Sequence, residues 1–142
     1  MTNSSHLADD YVAAVNSHDL DRITGFFDED MVDHSPFPGQ PADAAGFRTG
    51  FGELTAAFPD LKLDLTQSIR EGDRVALHYA LSGTHLGDFA GIPATGRTFR
   101  SEAMDILELR RERITNHWGV IDVAAMFEQL GQGPVAEQGS AS

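Results

Sequence analysis

Residues 61–82 of this 142-residue chain decide its fold, and they have the sequence LKLDLTQSIREGDRVALHYALS. Apolar side chains recur at every second position in two runs, which are Leu61, Leu63 and Leu65 and then Val75, Leu77, Tyr79 and Leu81. This alternation is typical of strands that bury one face, and the Glu71-Gly72-Asp73 segment between the runs is typical of a tight turn. The stretch therefore predicts a β-hairpin.

Two more strands are predicted after the hairpin, over about residues 97–109 and 114–121, with the polar run 110–113 as the turn between them. A loop over residues 83–96, with four glycines and Pro93, joins them to the hairpin. Short connections between successive strands favour antiparallel pairing. We therefore expect a curved antiparallel sheet of about four long strands.

The chain on either side of these strands has helical spacing. Helices are predicted over residues 7–16, over a short segment carrying Leu20 to Phe27, over 42–58 and over 123–130. A short strand over 31–34 and a loop with three prolines over 35–41 precede the third helix. Helices followed by a meander predict an α+β fold, with a single domain over 5–131 and a flexible tail over 132–142. A twisted sheet covered by helices forms a cone whose open end suits a small ligand.

Composition narrows the classes of partner and compartment. The chain has 22 acidic residues against 10 Lys and Arg, a net charge of −12, and a single lysine. Nucleic acids and anionic membranes bind clustered cations, so neither is expected as a partner. There is no cysteine, no signal-peptide pattern at the N-terminus and no apolar run near the roughly 20 residues that span a bilayer. We expect a cytoplasmic protein.

Six short motifs occur in order along the chain: Val32-Asp33-His34, residues 57–61 (AFPDL), 71–76 (EGDRVA), 83–85 (GTH), 91–97 (GIPATGR) and His117-Trp118. In this order and spacing the chain resembles the SnoaL-like polyketide cyclase (ester cyclase) family of the cystatin-like α+β cone superfamily, over about residues 5–131. The resemblance implies a cone fold, a closed apolar pocket, homodimers or homotetramers, and acid–base chemistry without a cofactor. In characterised cyclases an aspartate two residues after the histidine of the His-Trp motif is described as the main acid/base, and here that position is Gly119.

Asp105 and His117 are the main catalytic candidates. Asp105 lies in mid-strand between Met104 and Ile106, where burial disfavours a carboxylate. A register that puts Asp105 opposite His117 brings them together on one face, whereas the neighbouring register pairs Asp105 with Trp118. Asp105 is then a general base or the group that orients His117, which can exchange a proton near neutrality. The alternatives are a salt bridge of Asp105 with Arg97 or Arg100, and a core role for His117.

His34 is a third catalytic candidate, since it opens the proline loop, where it either reaches across the pocket mouth or caps the loop. The side chains considered as substrate-binding are Tyr79, Phe37, Phe51, Phe58, Trp118, Met126 and Arg97. Each aromatic or Met side chain has a core role as its alternative, and Arg97 either binds an acidic substrate group or ties down its loop. No pair of histidines has helical i,i+4 spacing, so no metal site is predicted.

The leading functional hypothesis is a cofactor-independent cyclase that performs aldol-type acid–base chemistry on an apolar, carbonyl-containing small molecule. The alternatives are a non-catalytic small-ligand-binding protein, or a hydrolase, isomerase or hydroxylation-type enzyme on the same fold. Association into a homodimer or homotetramer is expected through the outward sheet face, which carries His78 between the small residues Ala76 and Ala80.

Overall fold

The computed structural model of the protein describes residues 4–131, with side chains from His6 onward. The predicted tail over 132–142 lies outside the described residues. Within them, no helix is long and apolar enough to cross a lipid bilayer.

Four helices lie in this part of the chain: α1 (Ser4–Ser17), α2 (Leu20–Thr24), α3 (Ala44–Ala57) and α4 (Val123–Gln129). Three of them begin after an aspartate whose carboxylate accepts hydrogen bonds from first-turn backbone N–H groups: Asp19, Asp43 and Asp122. Helix α3 stops just before Pro59, which cannot donate the next helical hydrogen bond. The predicted helices are present, but α2 ends at Thr24, so the prediction that it carries Phe27 is wrong.

Five strands form one sheet in the described residues, in the order β1-β5-β4-β3-β2. Their bounds are β1 (Phe27–Asp33), β2 (Lys62–Glu71), β3 (Arg74–Thr84), β4 (Thr98–Arg110) and β5 (Arg113–Ile121). The predicted antiparallel meander runs from β2 to β5. The α+β class, with helices packed on a sheet, is confirmed.

The sheet differs from the prediction at one edge, where β1 pairs in parallel with β5. Phe27, Met31 and Asp33 are buried on one side of β1, so this segment has the buried face that a strand in a sheet requires. The backbone N–H of His34 donates to the carbonyl of His117 over 2.8 Å and closes this pairing. The sheet is therefore mixed, and β1 places Asp33 beside His117.

Strand β4 shows which sheet face meets the core. Its residues alternate between buried and exposed from Thr98 to Arg110, and Asp105 is on the buried side with Ala103 and Leu107. We call this buried side the inner face; the buried residues of α1 and α3 belong to the same hydrophobic cluster. A carboxylate thus lies among core side chains.

The opposite side, the outer face, exposes several large apolar side chains: Ile69, Met104, Ile106 and Val120. It also carries His78, which is 2.6 Å from Glu102 and 3.0 Å from the amide of Gln67. Association of copies of the chain through this face stays a prediction.

Candidate functional site

The inner face of the sheet, helices α1 and α3 and the proline loop enclose a cavity of about 230 Å³. Its lining is mostly apolar, and its polar side chains are Tyr11, Ser35, Tyr79, Asp105 and His117. The lining residues Ser35, Pro38 and Val123 are exposed, which places the mouth between the proline loop and the start of α4. The cavity is therefore an apolar chamber with a few polar groups, the usual form of a small-molecule site.

Three ionisable side chains form a row beside this cavity. His117 Nδ1 lies 2.9 Å from Asp33 Oδ1, and His117 Nε2 lies 3.5 Å from Asp105 Oδ2. Asp33 is 1% exposed, and Asp105 and His117 are each 8% exposed. A protonated imidazole has two N–H donors, so it matches a carboxylate at each nitrogen. The row thus places the imidazole of His117 between two carboxyl groups.

The two carboxylates change the protonation of His117. Burial alone lowers the pKa of the imidazole, but hydrogen bonds to Asp105 and Asp33 and their negative charges outweigh it and raise the pKa to about 9. Burial also opposes ionisation of Asp33, but the hydrogen bond and charge of His117 and the backbone N–H of Ser35 keep the pKa of Asp33 below its usual value. At neutral pH, therefore, His117 is charged and Asp33 is its ionised partner.

The cross-strand register that makes this row differs from both predicted registers. Asp105 pairs with Gly119, and His117 pairs with Leu107. The turn at Arg111-Glu112 pairs Arg110 with Arg113, but a bulge at Thr115 then shifts β5 by one residue. A shift of one residue moves every following side chain to the other face, so the bulge places His117 diagonally beside Asp105 on the inner face.

Two tyrosines add hydroxyl groups to the lining of the cavity. The Tyr79 hydroxyl donates to Asp105 Oδ1 over 3.2 Å. The Tyr11 hydroxyl, from α1, lines the cavity without a hydrogen bond to any other described residue. Burial first, and then the charge of Asp105, raises the pKa of both tyrosines. Both are neutral O–H donors, and the donor of Tyr11 is available to a ligand.

The cavity includes three of the predicted substrate-binding residues, Tyr79, Phe37 and Phe51. It does not include His34 or Trp118. The His34 ring stacks on the Trp118 indole with centroids 4.5 Å apart, and His34 Nε2 lies 2.8 Å from Asn116 Oδ1. His34 follows Asp33 in sequence, and successive side chains near a strand point to opposite faces. His34 and Trp118 therefore lie outside the lining of this cavity, and the roles assigned to them from the sequence stay predictions.

Three other predicted pocket residues lie elsewhere. Phe58 is fully buried against Phe99 and Phe89, with ring centroids 5.0 Å and 5.1 Å apart, and Met126 is a core residue that is 2% exposed. Arg97 is exposed, and its guanidinium group lies beside Gly131. None of the three lines the cavity. The loop over 85–97 packs at the end of α3, where the N–H groups of Leu86 and Gly87 donate to the carbonyl of Ala57.

The alternative ion pair for Asp105 is not formed within the described residues. Arg100 pairs instead with Asp64 over 3.0 Å, and the cation beside Asp105 is His117. The same part of the chain contains no group of three His, Asp or Glu side chains arranged to hold a metal ion.

Asp33 and Tyr11 are site residues that the sequence analysis did not identify. Asp33 had a usable signal, because it shares strand parity with the apolar Met31 and therefore the buried face of β1. Tyr11 had none, since a tyrosine on the apolar stripe of a helix is equally consistent with core packing.

The sequence model of the SnoaL-like polyketide cyclase family matches residues 5–130. The chain belongs to this family. Over 61 residues it is 34% identical to aklanonic acid methyl ester cyclase DnrD from Streptomyces peucetius, a match that covers 43% of this chain and 42% of DnrD. The matched segment thus spans less than half the length of that cyclase.

Solved structures of other proteins share the fold of this SnoaL-like chain over most of its length. AclR, a putative hydroxylase from Streptomyces galilaeus, superimposes with a TM-score of 0.82 at 30% identity, covering 92% of this chain and 96% of AclR. IdmH, a putative polyketide cyclase from Streptomyces antibioticus, gives a TM-score of 0.79 at 32% identity, covering 89% of this chain and 97% of IdmH.

Gly119 is the position at which characterised cyclases are described as having an aspartate. In this SnoaL-like protein the side chain of Asp105 lies beside that position. A Cβ atom at position 119 would lie 2.6 Å from Asp105 Oδ1 and 3.4 Å from His117 Cε1. The Asp105 carboxylate therefore occupies the space into which a side chain at position 119 would project. A carboxylate is present at this point of the cavity, but it comes from the neighbouring strand.

Proposed function

We propose that this protein catalyses an aldol-type ring closure of an apolar small molecule that carries at least two carbonyl groups, with Asp105 as the general base. The observation that supports this most strongly is the position of the Asp105 carboxylate. It lines an apolar cavity, and Tyr79 and His117 contact its two oxygens. A carboxylate fixed in orientation inside a mostly apolar chamber suits removal of a proton from carbon.

The reaction conserves every atom of the substrate. Asp105 removes a proton from a carbon next to one carbonyl, and the electron pair of the broken C–H bond forms an enolate. The enolate carbon then attacks a second carbonyl carbon in the same molecule, which forms a C–C bond and leaves an alkoxide. The alkoxide takes a proton, which Asp105 returns directly or through the adjacent hydroxyl of Tyr79.

His117 and Asp33 support the base without touching the reacting carbon in this proposal. The His117 cation lies between the two carboxylates, so it offsets their repulsion and orients Asp105. Asp33 holds the imidazole from the other nitrogen and is a positioning residue. The sequence-based idea that His117 donates to the enolate oxygen is less suitable, because both of its nitrogens already face carboxylates.

Tyr11 is the donor we assign to the developing oxyanion. Its hydroxyl lines the cavity with no partner among residues 4–131, and its raised pKa keeps it protonated. A preorganised O–H donor in a water-poor site stabilises charge that appears only in the transition state.

The deciding experiment is turnover by the Asp105→Asn variant, which keeps the side-chain volume and removes the base. We expect a loss of about 10²-fold or more in kcat. Screening covers polyketide methyl esters of about two fused rings, which match the cavity volume, together with aklanonic acid methyl ester, the larger compound in the name of DnrD. Product mass identifies the reaction, since ring closure conserves mass. Retention of wild-type turnover by Asp105→Asn would remove this assignment, and ligand binding without turnover would favour the non-catalytic alternative.

A hydroxylation is the second candidate, because the superimposed structure AclR is described as a putative hydroxylase. The two candidates differ in the product and in the co-reactants, since hydroxylation inserts one oxygen atom of O2 and needs two electrons from a reductant to release the other as water. A product heavier by that atom would favour hydroxylation over ring closure.

A further inference from the structure

The proline loop, residues 35–41, forms one wall of the cavity and is attached at both ends. The N–H of Asp33 donates to the carbonyl of Ala42 over 3.1 Å, which joins the chain on the two sides of the loop. Ser35 Oγ accepts a 3.0 Å hydrogen bond from the N–H of Gly119, and the N–H of Ser35 donates to Asp33 Oδ1 over 3.0 Å. The loop is therefore tied directly to the residues of the candidate site.

The same loop is seated on α3 at two glycines one helical turn apart. A Cβ atom at Gly46 would lie 2.0 Å from the carbonyl oxygen of Pro41, and one at Gly50 would lie 2.3 Å from Cδ2 of Phe37. Glycine in a helix interior is unfavourable, so close approach of another segment is a physical reason for its presence there. Position 50 thus forms a notch in α3 that the Phe37 side chain fills.

Phe37 also belongs to an aromatic wall that reaches the imidazole. Its ring packs on Phe47 with centroids 5.7 Å apart, and Phe47 packs edge-on against His117 at 6.3 Å. Phe47 also stacks on Phe51 at 5.6 Å. The depth to which Phe37 enters the notch therefore sets the position of one wall relative to His117.

We propose that Phe37, seated in the notch at Gly50, is a specificity-determining residue that fixes the width of the cavity and hence the size of the ring system accepted. An engineered cavity of about 150 Å³ holds benzene, so the 230 Å³ present here is suited to an aromatic ligand of about two fused rings. This inference rests on the proposed function for its biological meaning, but the size selection itself is measurable without turnover.

The test compares binding of two neutral fluorescent ketones that differ by one ring, 2-acetylnaphthalene and 2-acetylanthracene. The wild-type protein is expected to favour the smaller ketone. Phe37→Ala is expected to shift the ratio of the two Kd values toward the larger ketone by about tenfold or more, the usual effect of changing the volume of an apolar pocket. Phe37→Leu, a milder change that protects folding, should shift the ratio in the same direction.

Gly52 supplies a matched control for Gly50. Both glycines lie in α3, but a Cβ atom at Gly52 would meet only a Leu20 methyl group at 4.0 Å. Gly52→Ala should therefore leave the Kd ratio unchanged, whereas Gly50→Ala should change it.

Identical Kd ratios in the wild type, Phe37→Leu and Gly50→Ala would overturn the proposal. Measurement of turnover distinguishes a failure of this inference from a failure of the proposed function. Shifted ratios in a protein with no cyclase activity would support the size filter and count against the function, whereas turnover with unshifted ratios would do the reverse.

Discussion

The carboxylate of Asp105 in β4 lies over Gly119, its cross-strand partner in β5, and its Oδ1 atom would be 2.6 Å from a Cβ atom at position 119. The two positions therefore share one space, and only one of them can carry a large side chain. A side chain introduced at position 119 therefore has to be tested both with and without Asp105.

Exchanging the carboxylate between the two strands tests this relationship. Gly119→Asp alone should destabilise the protein by about 1–3 kcal/mol, because it overpacks the site against Asp105. It should also lower turnover. The double variant Asp105→Ala with Gly119→Asp should recover stability and part of the activity. Urea unfolding and kcat are measured for both variants. If Gly119→Asp alone were more active than the wild type and equally stable, the finding that the side chains at positions 105 and 119 share one space would be contradicted.

The role of Asp33 is tested with Asp33→Asn, which keeps the shape and removes the charge. Loss of this charge should lower the pKa of His117 from its value of about 9. NMR titration of the His117 ring protons measures the change. The kcat should fall by about 10- to 100-fold because the imidazole loses its fixed orientation.

The matched control for Asp33→Asn is Asp28→Asn in the same strand, where the carboxylate pairs on the surface with Arg110. It should leave the His117 titration unchanged. A His117 pKa that is equal in Asp33→Asn and the wild type would exclude the positioning role.

Protonation of His117 also predicts a pH dependence of stability. The pKa of this imidazole rises from 6.5 to about 9 on folding, so the native state holds the proton more tightly than the unfolded chain does. The resulting stabilisation is fully present below about pH 6.5 and is lost as the pH rises through about 9. The free energy of unfolding in urea should therefore fall across this interval. In His117→Gln this part of the decrease in unfolding free energy with pH should be absent. If that variant shows the same pH dependence as the wild type, the effect belongs to other groups.

Tyr11→Phe separates a catalytic donor from a structural one. Its hydroxyl has no hydrogen-bond partner within residues 4–131, so thermal unfolding should change little. The kcat should fall by about 10²-fold, which is typical for the loss of one oxyanion donor. In Tyr79→Phe, by contrast, a hydrogen bond to Asp105 is removed, and stability should decrease as well. Wild-type kcat in Tyr11→Phe would show that its hydroxyl does not contact the oxyanion.

Phe58→Ala tests the reassignment of Phe58 from pocket wall to core. Deleting this fully buried ring should reduce stability by about 3–5 kcal/mol, mainly through the cavity it leaves. The KM of the remaining folded enzyme should stay close to that of the wild type, because Phe58 does not line the site. A large rise in KM with little loss of stability would restore the original assignment.

Local patterns in the sequence determined most of the architecture. Alternation of apolar residues along β2 to β5 and the helical spacing of Phe47, Phe51 and Leu54 depend only on neighbours a few positions away, so the α+β order and the hairpin turn followed directly. The unusual position of Asp105 in an apolar strand likewise marked it as a candidate.

The tertiary structure alone decided which side chains meet. The bulge at Thr115 shifts β5 by one residue and so turns His117 onto the face of Asp105. The parallel edge strand β1 brings Asp33 to the same imidazole across 84 residues of sequence, and α1 adds Tyr11 from the other side of the cavity. A register shift or a pairing between distant segments is set by the sum of many packing contacts, which no single stretch of sequence contains.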